Sequence, residues 1–359
     1  MGLFGFLKKD KEASGSKKGF FELTVAAVEK LTDDTVKVIL EVPQELKNDF
    51  HFVPGQYLDF SVPVNGRDEH RSYSICSGPA ESLAIAVKEI KKGTVSRWFN
   101  HDVFPGSKLL VSKPKGSFTL KEGDKKVVAI AAGSGITPIM AIGKELEKKG
   151  GYLTLFFGNR NRQSIIFNNE LSAMSHAAIK HYLSGEEVEG HGKGRINKES
   201  FTTEIKSDLN ILKADAFFIC GPEQMIIEVS ETLKFFGVAE SKIHFELFTT
   251  PVLMKAHETN VTSNFDGTSK VKVILDSEIT EFDLSATGKT LLEAVEKAGM
   301  DAPYSCKGGV CSSCRAKILK GSAMMTANFS LTDEDINKGY ILTCQAHPTS
   351  DELTISFDE

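Results

Sequence analysis

Four cysteines in the last sixty residues of the chain have a spacing that can hold an iron–sulfur cluster. Cys306, Cys311 and Cys314 follow the pattern C-x4-C-x2-C within residues 303–314, and Cys344 follows after a longer interval. A [2Fe–2S] cluster takes four thiolate ligands, and this spacing lets one short loop supply three of them. Two glycines inside the loop allow the backbone to turn sharply. The sequence therefore predicts a four-thiolate [2Fe–2S] site.

Zinc binding and structural cysteines are the alternatives for this stretch. Structural zinc sites usually combine two C-x2-C pairs or a mixture of Cys and His, whereas this chain contains one C-x2-C pair. Disulfides require an oxidising compartment. Residues 1–18 place a short apolar patch before their lysines, which is the reverse of a secretory signal. We therefore favour the iron–sulfur cluster and expect a cytoplasmic protein with an amino-terminal tail.

Length and composition limit the classes of protein to consider. The chain has 359 residues, 41% of them hydrophobic and 25% charged, which is typical of a soluble protein with two or three domains. Its net charge of −5 argues against a nucleic-acid partner. The chain has no apolar run of eighteen residues, so no membrane span is expected.

A first patch with chemical potential lies within a series of short strand-like segments. These segments are separated by Pro and Gly turns, which favours a β-barrel or sandwich; they cover residues 21–28, 35–41, 57–62, 82–87 and 107–112. Arg71 can grip a phosphate with its planar fork of donors. Tyr73 lies on the same face of a strand and can pack against a flat cofactor ring. Ser74 offers a hydroxyl at a ring edge.

A second patch has the composition of an anion site. Its small residues precede a helix, whose first N–H groups can bind a cofactor pyrophosphate; they are Gly93, Thr94, Val95 and Ser96. Lys88 ends the strand before this patch. It either assists the phosphates or is an ordinary solvated lysine.

The middle of the chain alternates buried strands with helices, which predicts a doubly wound parallel sheet with ligands at the carboxyl ends of its strands. The strand at residues 126–131 leads into a glycine turn and then a helix at 139–147. This is the geometry that binds dinucleotide phosphates. The turn residues are Gly133, Ser134, Gly135, Ile136 and Thr137.

Two arginines bear on the choice of nucleotide. Arg160 and Arg162 follow the second strand of this sheet, where an arginine accommodates the 2′-phosphate of NADP and an acidic residue would favour NAD. We therefore favour NADPH over NADH, with solvated arginines as the alternative. Cys220 ends a third strand and is read either as a buried small residue or as a site residue, whereas Cys76 is read as buried packing.

Taken in order, these motifs resemble a known family. The runs FxPGQY, RSYS, GTVS, GSGITPIM and CGPEQM resemble the ferredoxin–NADP⁺ reductase superfamily, and residues 270–359 resemble a plant-type ferredoxin β-grasp domain. The resemblance implies a flavin domain that favours FAD over FMN. It also implies three catalytic residues, Tyr73, Ser74 and Cys220, with Cys220 beside the nicotinamide ring. Arg71, Ser72, Tyr73 and Ser74 are then flavin contacts, Gly93–Ser96 bind the pyrophosphate, and Gly133–Thr137, Gly221 and Pro222 bind the nucleotide.

The same resemblance predicts the order of the domains. A tail (residues 1–18) precedes an antiparallel β-barrel flavin domain (19–122) and an α/β doubly wound nucleotide domain (123–248). A linker (249–269) then leads to a β-grasp ferredoxin domain (270–359). Phe248 ends the nucleotide domain and lies near the isoalloxazine, or alternatively packs in the core.

The resemblance predicts a reductase that passes electrons from NAD(P)H to FAD, then to the [2Fe–2S] cluster, then to a protein acceptor. The acceptor is expected to be a component of a multicomponent oxygenase of the phenylacetyl-CoA epoxidase type. Reduction of a flavodoxin, a ferredoxin or a hybrid-cluster protein is the alternative within this class. From other classes, a flavin-only oxidase or quinone reductase and a redox sensor stay open.

Overall fold

The computed structural model describes residues 19–64, 66–249, 251–253 and 265–359. The predicted tail and residues 250 and 254–264 of the predicted linker lie outside the described residues. The described residues form three large sheets and one two-stranded sheet, which pairs Ala323–Met325 with Ala346–Pro348. The first and third large sheets each pack on one hydrophobic cluster, and the second has a cluster on each face. No helix in the described part of the chain is long and apolar enough to cross a membrane.

The first sheet is an antiparallel barrel. Its strand order is β4-β3-β6-β1-β2-β5, and an antiparallel bridge between Ile75 and Ile85 joins the two ends. Fully buried side chains such as Phe60 fill the interior, and a helix covers it by packing Phe99 on Phe60 at 5.3 Å between ring centroids. The elements are β1 (Phe20–Thr32), β2 (Thr35–Glu41), β3 (Tyr57–Val64), β4 (Arg67–Ser74), β5 (Ala84–Lys88), α1 (Thr94–His101) and β6 (Lys108–Ser112).

The second sheet is parallel throughout, in the order β10-β9-β8-β7-β11-β12. From β7 the chain adds β8, β9 and β10 on one side of the sheet, and it then adds β11 and β12 on the other side of β7. The crevice at the carboxyl ends of these two strands is therefore the expected ligand site of a doubly wound sheet. The elements are β7 (Lys126–Ala132), α2 (Ile136–Lys148), β8 (Tyr152–Asn159), α3 (Asn168–Ala173), β9 (Ala177–Leu183), β10 (Gly192–Lys193), α4 (Lys198–Ser207), β11 (Ala216–Cys220), α5 (Glu223–Phe235) and β12 (Ile243–Glu246).

The glycine turn after β7 is tighter than the sequence indicated. Gly133–Gly135 form a 3₁₀ turn and α2 begins at once with Ile136, three residues before the predicted start. Pro138 fits there because residues in the first helical turn have no intrahelical partner for their N–H groups. A Cβ at Gly135 would lie 2.0 Å from the Cys220 carbonyl oxygen. Glycine at this position therefore lets the turn approach β11 closely.

The third sheet is mixed, with the strand order β14-β13-β19-β15-β17, and one helix packs its apolar face on it. Leu291 and Val295 of that helix are fully buried beside Val273 and Ile355 of the sheet. This arrangement confirms the β-grasp prediction. The elements are β13 (Thr268–Leu275), β14 (Glu278–Ser285), α6 (Leu291–Lys297), β15 (Arg315–Lys320), β16 (Ala323–Met325), α7 (Asp333–Asn337), β17 (Tyr340–Leu342), β18 (Ala346–Pro348) and β19 (Glu352–Ser356).

The β-grasp domain lies against both other domains. The Tyr304 ring packs on His70 of the barrel at 4.9 Å between centroids, and Phe20 packs on the same imidazole at 5.3 Å. Val310 and Phe329 pack against the hydrophobic cluster of the nucleotide domain. The loop between α6 and β15, which carries three of the four cysteines, therefore lies at the meeting point of all three domains.

Candidate electron-transfer site

The loop cysteines form a first pair of thiols. Cys306 Sγ lies 3.2 Å from Cys311 Sγ, and the backbone N–H groups of Gly308 and Cys311 each donate to Cys306 Sγ at 3.4 Å. The hydrogen bond from the Cys311 thiol, with help from these N–H groups, lowers the pKa of Cys306 to about 6. The thiolate is the metal-binding form of cysteine, so these hydrogen bonds favour that form at Cys306, whereas the bond to Cys306 and burial raise the pKa of Cys311 well above its usual value.

Cys314 and Cys344 form the second pair. A hydrogen bond from the Cys314 thiol lowers the pKa of Cys344. Within the described ranges, no three Cys, His, Asp or Glu side chains converge on a point where one ion could be held. A zinc site would need four ligands around one ion, whereas a [2Fe–2S] cluster contains two irons sharing four thiolates. Two thiol pairs fit a cluster in which each iron takes two of the four thiolates.

A cavity of about 100 Å³ separates the cluster loop from the barrel. Arg71 is held at its edge by an ion pair with Glu69 at 3.1 Å and by donation to the His70 carbonyl at 2.6 Å. The barrel motif and two cluster cysteines therefore face the same space. Its lining residues are Tyr57, Arg71, Ser72, Ser74, Glu246, Leu247, Phe248, Ser305, Cys306, Val310 and Cys311. We name this space the flavin cavity.

A carboxyl group reaches the flavin cavity from the nucleotide domain. Ser74 Oγ donates to Glu246 Oε2 at 3.3 Å, and burial raises the pKa of Glu246 to about 8. In the parallel pairing of β11 with β12, Glu246 is the partner of Cys220. Burial, together with the neighbouring Glu246 charge, raises the pKa of Cys220 well above its usual value. Cys220 is therefore a neutral thiol behind the cavity wall.

Some predicted flavin residues lie away from this cavity. Tyr73 points its ring at the edges of Phe60 and Phe99, with centroid distances of 5.9 and 5.2 Å, and burial raises its pKa. Gly93 precedes α1 without a side-chain cap on the helix N-terminus. That terminus, formed with Thr94, Val95 and Ser96, borders neither the flavin cavity nor the larger cavity described next. The Ser96 hydroxyl accepts the Ile90 N–H at 3.1 Å.

The larger cavity lies at the carboxyl ends of β7, β8 and β11 and has a volume of about 840 Å³. This is a size typical of cofactor sites. Gly133, Arg160 and Pro222 line it, whereas Ser134, Gly135, Ile136, Thr137, Arg162 and Gly221 do not. Its lining residues are Asp34, Lys88, Ala132, Gly133, Gly158, Asn159, Arg160, Ser164, Ser184, Gly194, Arg195, Ile196, Asn197, Pro222, Gln224, Met225 and Glu228. We name this space the nucleotide cavity.

The barrel contributes one charged pair to the nucleotide cavity. Lys88 Nζ lies 3.2 and 3.1 Å from the two carboxylate oxygens of Asp34, and both residues line the cavity. Lys88 therefore faces the nucleotide cavity, whereas the sequence had grouped it with the flavin phosphates.

Residues that the sequence did not predict include Tyr57, Glu246 and Ser305 of the flavin cavity and Arg195 of the nucleotide cavity, and Asp59, which accepts a hydrogen bond from Ser72. Two of them carry a signal that could have been used. Glu246 interrupts the apolar segment HFELF, and Asp59 interrupts YLDF. An acidic residue inside a buried strand requires a partner, so each was a candidate for a site.

Three family models match successive parts of the chain. They are the oxidoreductase FAD-binding domain over residues 22–120, the oxidoreductase NAD-binding domain over residues 129–231, and the 2Fe-2S iron-sulfur cluster binding domain over residues 273–349. These matches confirm the predicted cofactor classes.

Similar proteins share this whole arrangement. The chain is 36% identical to a component of the 1,2-phenylacetyl-CoA epoxidase of Escherichia coli, over 94% of this chain and 98% of that protein. It is 33% identical to the ferredoxin reductase component of 3-ketosteroid-9-alpha-monooxygenase from Rhodococcus rhodochrous, over 93% and 96%. Among solved structures, phthalate dioxygenase reductase matches with a TM-score of 0.58 and 25% identity, over 94% and 98% of the two chains. The chain therefore belongs to the ferredoxin–NADP⁺ reductase superfamily, in the group with a plant-type [2Fe–2S] domain, and is an NAD(P)H-dependent oxidoreductase that passes electrons through FAD to an iron–sulfur cluster.

Proposed function

We propose that this protein is the reductase component of a multicomponent oxygenase, with NADPH as its donor and a separate oxygenase protein as its acceptor. The observation that carries the proposal is the flavin cavity, because Arg71 and Ser74 of the barrel and Cys306 and Cys311 of the cluster loop line the same space. Bound FAD supplies the conversion between a two-electron donor and a one-electron cluster. The docked loop gives the electrons a short path within one chain.

The barrel residues hold and orient the flavin. The Arg71 guanidinium pairs with a flavin phosphate, and Ser72 lines the cavity beside it. Tyr73 supports this part of the barrel from within, because its ring packs on Phe60 and Phe99. The uncapped N-terminus of α1, from Gly93 to Ser96, lies outside the flavin cavity and is our candidate for the pyrophosphate site, which favours FAD over FMN.

A proton donor stands at the cavity wall. A bound flavin would need a proton in addition to a hydride for its full reduction, and Glu246 could supply that proton. At neutral pH Glu246 is protonated because its pKa is raised to about 8, and the Ser74 hydroxyl holds this carboxyl in place. Phe248 lines the cavity and Cys220 lies behind its wall as a neutral thiol, and we propose this side of the cavity as the place of the nicotinamide.

The nucleotide cavity binds the donor. The turn from Gly133 to Thr137, with Gly221, presents backbone N–H groups to the phosphates. Pro222, which has no N–H, lines the cavity beside them, and Lys88 adds a cation from the barrel side. Arg160 and Arg195 line the cavity and can grip a 2′-phosphate bidentately. Arg162 stands outside the cavity. This arrangement supports NADPH as the preferred donor.

The oxygenase assignment is supported by the two relatives, whose names describe components of an epoxidase and of a monooxygenase. To test it, the chain is reconstituted with FAD and cluster, reduced with NADPH, and mixed in a stopped-flow instrument with a purified di-iron oxygenase component. A flavodoxin is the comparison acceptor. We expect the oxygenase component to be reduced faster. Faster reduction of the flavodoxin would contradict the assignment of the partner. Rapid reduction of a quinone with no reduction of either protein would contradict the reductase role.

A further inference from the structure

A buried carboxylate of the barrel lies beside the cluster loop. Asp59 on β3 has a side chain that is 2% exposed. It accepts a hydrogen bond from Ser72 Oγ at 2.6 Å and pairs with Lys115 Nζ at 3.1 Å. A carboxylate in such a position is expensive to bury. The residue must therefore be explained by something other than the stability of the barrel alone.

The partners of Asp59 lead directly into the ferredoxin domain. The Ser72 hydroxyl is hydrogen-bonded to the Ser305 hydroxyl at 2.8 Å, and Ser305 precedes the ligand Cys306 in the chain. A single hydroxyl therefore separates the carboxylate from the cluster loop.

Next to Asp59, Tyr57 fixes the other end of the same loop. Its hydroxyl lies 3.1 Å from Ser312 Oγ and accepts the Ser312 N–H at 3.2 Å. The strand that carries Asp59 is thus joined to the loop at two places: Asp59 reaches Ser305 through Ser72, and Tyr57 is hydrogen-bonded to Ser312.

We propose that Asp59 sets the reduction potential of the iron–sulfur cluster from across the domain boundary and makes it more negative. Net charge and exposure are two of the factors that set such potentials. Adding an electron to a cluster held by four thiolates increases its negative charge, and a buried neighbouring carboxylate opposes this with little solvent screening. Lys115 offsets only part of the effect because its side chain is 32% exposed. Asp59 is a positioning and tuning residue and does not ligate the metal.

The test is an EPR-monitored potentiometric titration of the cluster in the full chain, loaded with FAD and cluster and without any acceptor. Asp59→Asn keeps the shape and the acceptor for Ser72 but removes the charge. We expect its midpoint to move to a more positive potential. Lys115→Met removes the opposite charge, and we expect its midpoint to move to a more negative potential.

The matched control is an ion pair on the surface of the same barrel. Lys113 Nζ and Asp49 Oδ1 are 2.6 Å apart, with side chains 52% and 37% exposed, and we expect Asp49→Asn to leave the midpoint unchanged. An unchanged midpoint in Asp59→Asn would overturn the proposal. So would shifts of the same sign in Asp59→Asn and Lys115→Met, because these would report a loosened interface. If Asp59→Asn does not fold, the sign of the Lys115→Met shift decides alone.

Discussion

Glu246 illustrates how one side chain can couple the flavin cavity to pH. It reaches the cavity from β12, its carboxyl accepts a hydrogen bond from Ser74, and burial raises its pKa from 4.5 to about 8. In the unfolded chain the same group ionises near the ordinary value for glutamate. Between these two pH values the folded protein retains a proton that the unfolded chain has released.

This difference predicts that the protein loses stability as the pH rises from about 4.5 to about 8, since the unfolded state binds fewer protons in that window. Glu246→Gln should flatten this part of the profile of thermal unfolding midpoint against pH. Glu122→Gln, which changes an exposed glutamate, is the control and should leave the slope intact. An unaltered slope in Glu246→Gln would show that the carboxyl ionises normally.

Arg160 and Arg162 offer a matched pair for testing the donor. Arg160 lines the nucleotide cavity and Arg162 does not. If Arg160 binds the 2′-phosphate through charged hydrogen bonds, Arg160→Ala should raise the KM for NADPH by roughly 10- to 100-fold. The KM for NADH should change little.

Arg162→Ala should leave both KM values near those of the parent protein. Equal losses in the two variants, or an equal loss with NADH in Arg160→Ala, would argue against a 2′-phosphate site at Arg160.

At the scale of elements, the β3–β4 hairpin is the surface of the barrel on which the ferredoxin domain docks. Its side chains meet the cluster loop at three places: Tyr57 at Ser312, Ser72 at Ser305, and His70 at Tyr304. These contacts place the loop against the flavin cavity, so they are expected to control how often the two cofactors lie within reach of each other.

Tyr57→Phe removes one of these bridges and keeps the aromatic ring. Loss of a hydrogen bond with a net contribution of about 0.5–1.5 kcal/mol would weaken docking of the loop. Electron transfer from flavin to cluster should therefore slow by roughly 2- to 10-fold. Stopped-flow spectra after mixing with NADPH separate this step from flavin reduction, which should keep its rate. Tyr152→Phe, at a half-exposed tyrosine on β8, serves as the control. A slowed flavin reduction in Tyr57→Phe would instead indicate a role in the flavin site.

Local spacing explains which elements could be predicted from the sequence. The cysteine loop, the glycine turn after β7 and the alternating strands are each contained in a short run of residues, so their chemistry is visible in the printed sequence. The Ser74–Glu246 and Tyr57–Ser312 contacts join residues 172 and 255 positions apart. Only the folded chain brings these pairs together. The place of Lys88 at the nucleotide cavity was hidden for the same reason, since residues of two domains line that cavity and the sequence left Lys88 either as a phosphate contact or as a solvated lysine.

At the scale of the whole molecule, the three domains form a continuous route. The nucleotide cavity opens at the carboxyl ends of the parallel strands, the flavin cavity lies between barrel and loop, and the paired thiols stand on the far side of it. Under the proposed function, electrons reach a protein acceptor through the cluster, whereas a small oxidant can take them at the flavin.

Cys311→Ser separates these two exits. We expect it to abolish reduction of a one-electron protein acceptor such as cytochrome c, because one iron loses a thiolate. NADPH-dependent reduction of ferricyanide at the flavin should persist. Cys76→Ser, at a buried cysteine of the barrel, is the control and should retain both activities. Survival of protein-acceptor reduction in Cys311→Ser would place the cluster outside the route.

The polar docking surface of the β3–β4 hairpin has a consequence for domain grafting. Asp59 and Tyr57 are buried beside the loop. Tyr57 is hydrogen-bonded to Ser312 of the loop, and Asp59 is linked to Ser305 of the loop through the Ser72 hydroxyl. A foreign ferredoxin domain that lacked hydroxyls equivalent to those of Ser305 and Ser312 would leave these barrel groups facing an apolar surface. Chimeric reductases should therefore exchange the β3–β4 hairpin together with the iron-carrying domain, as one transplantable unit.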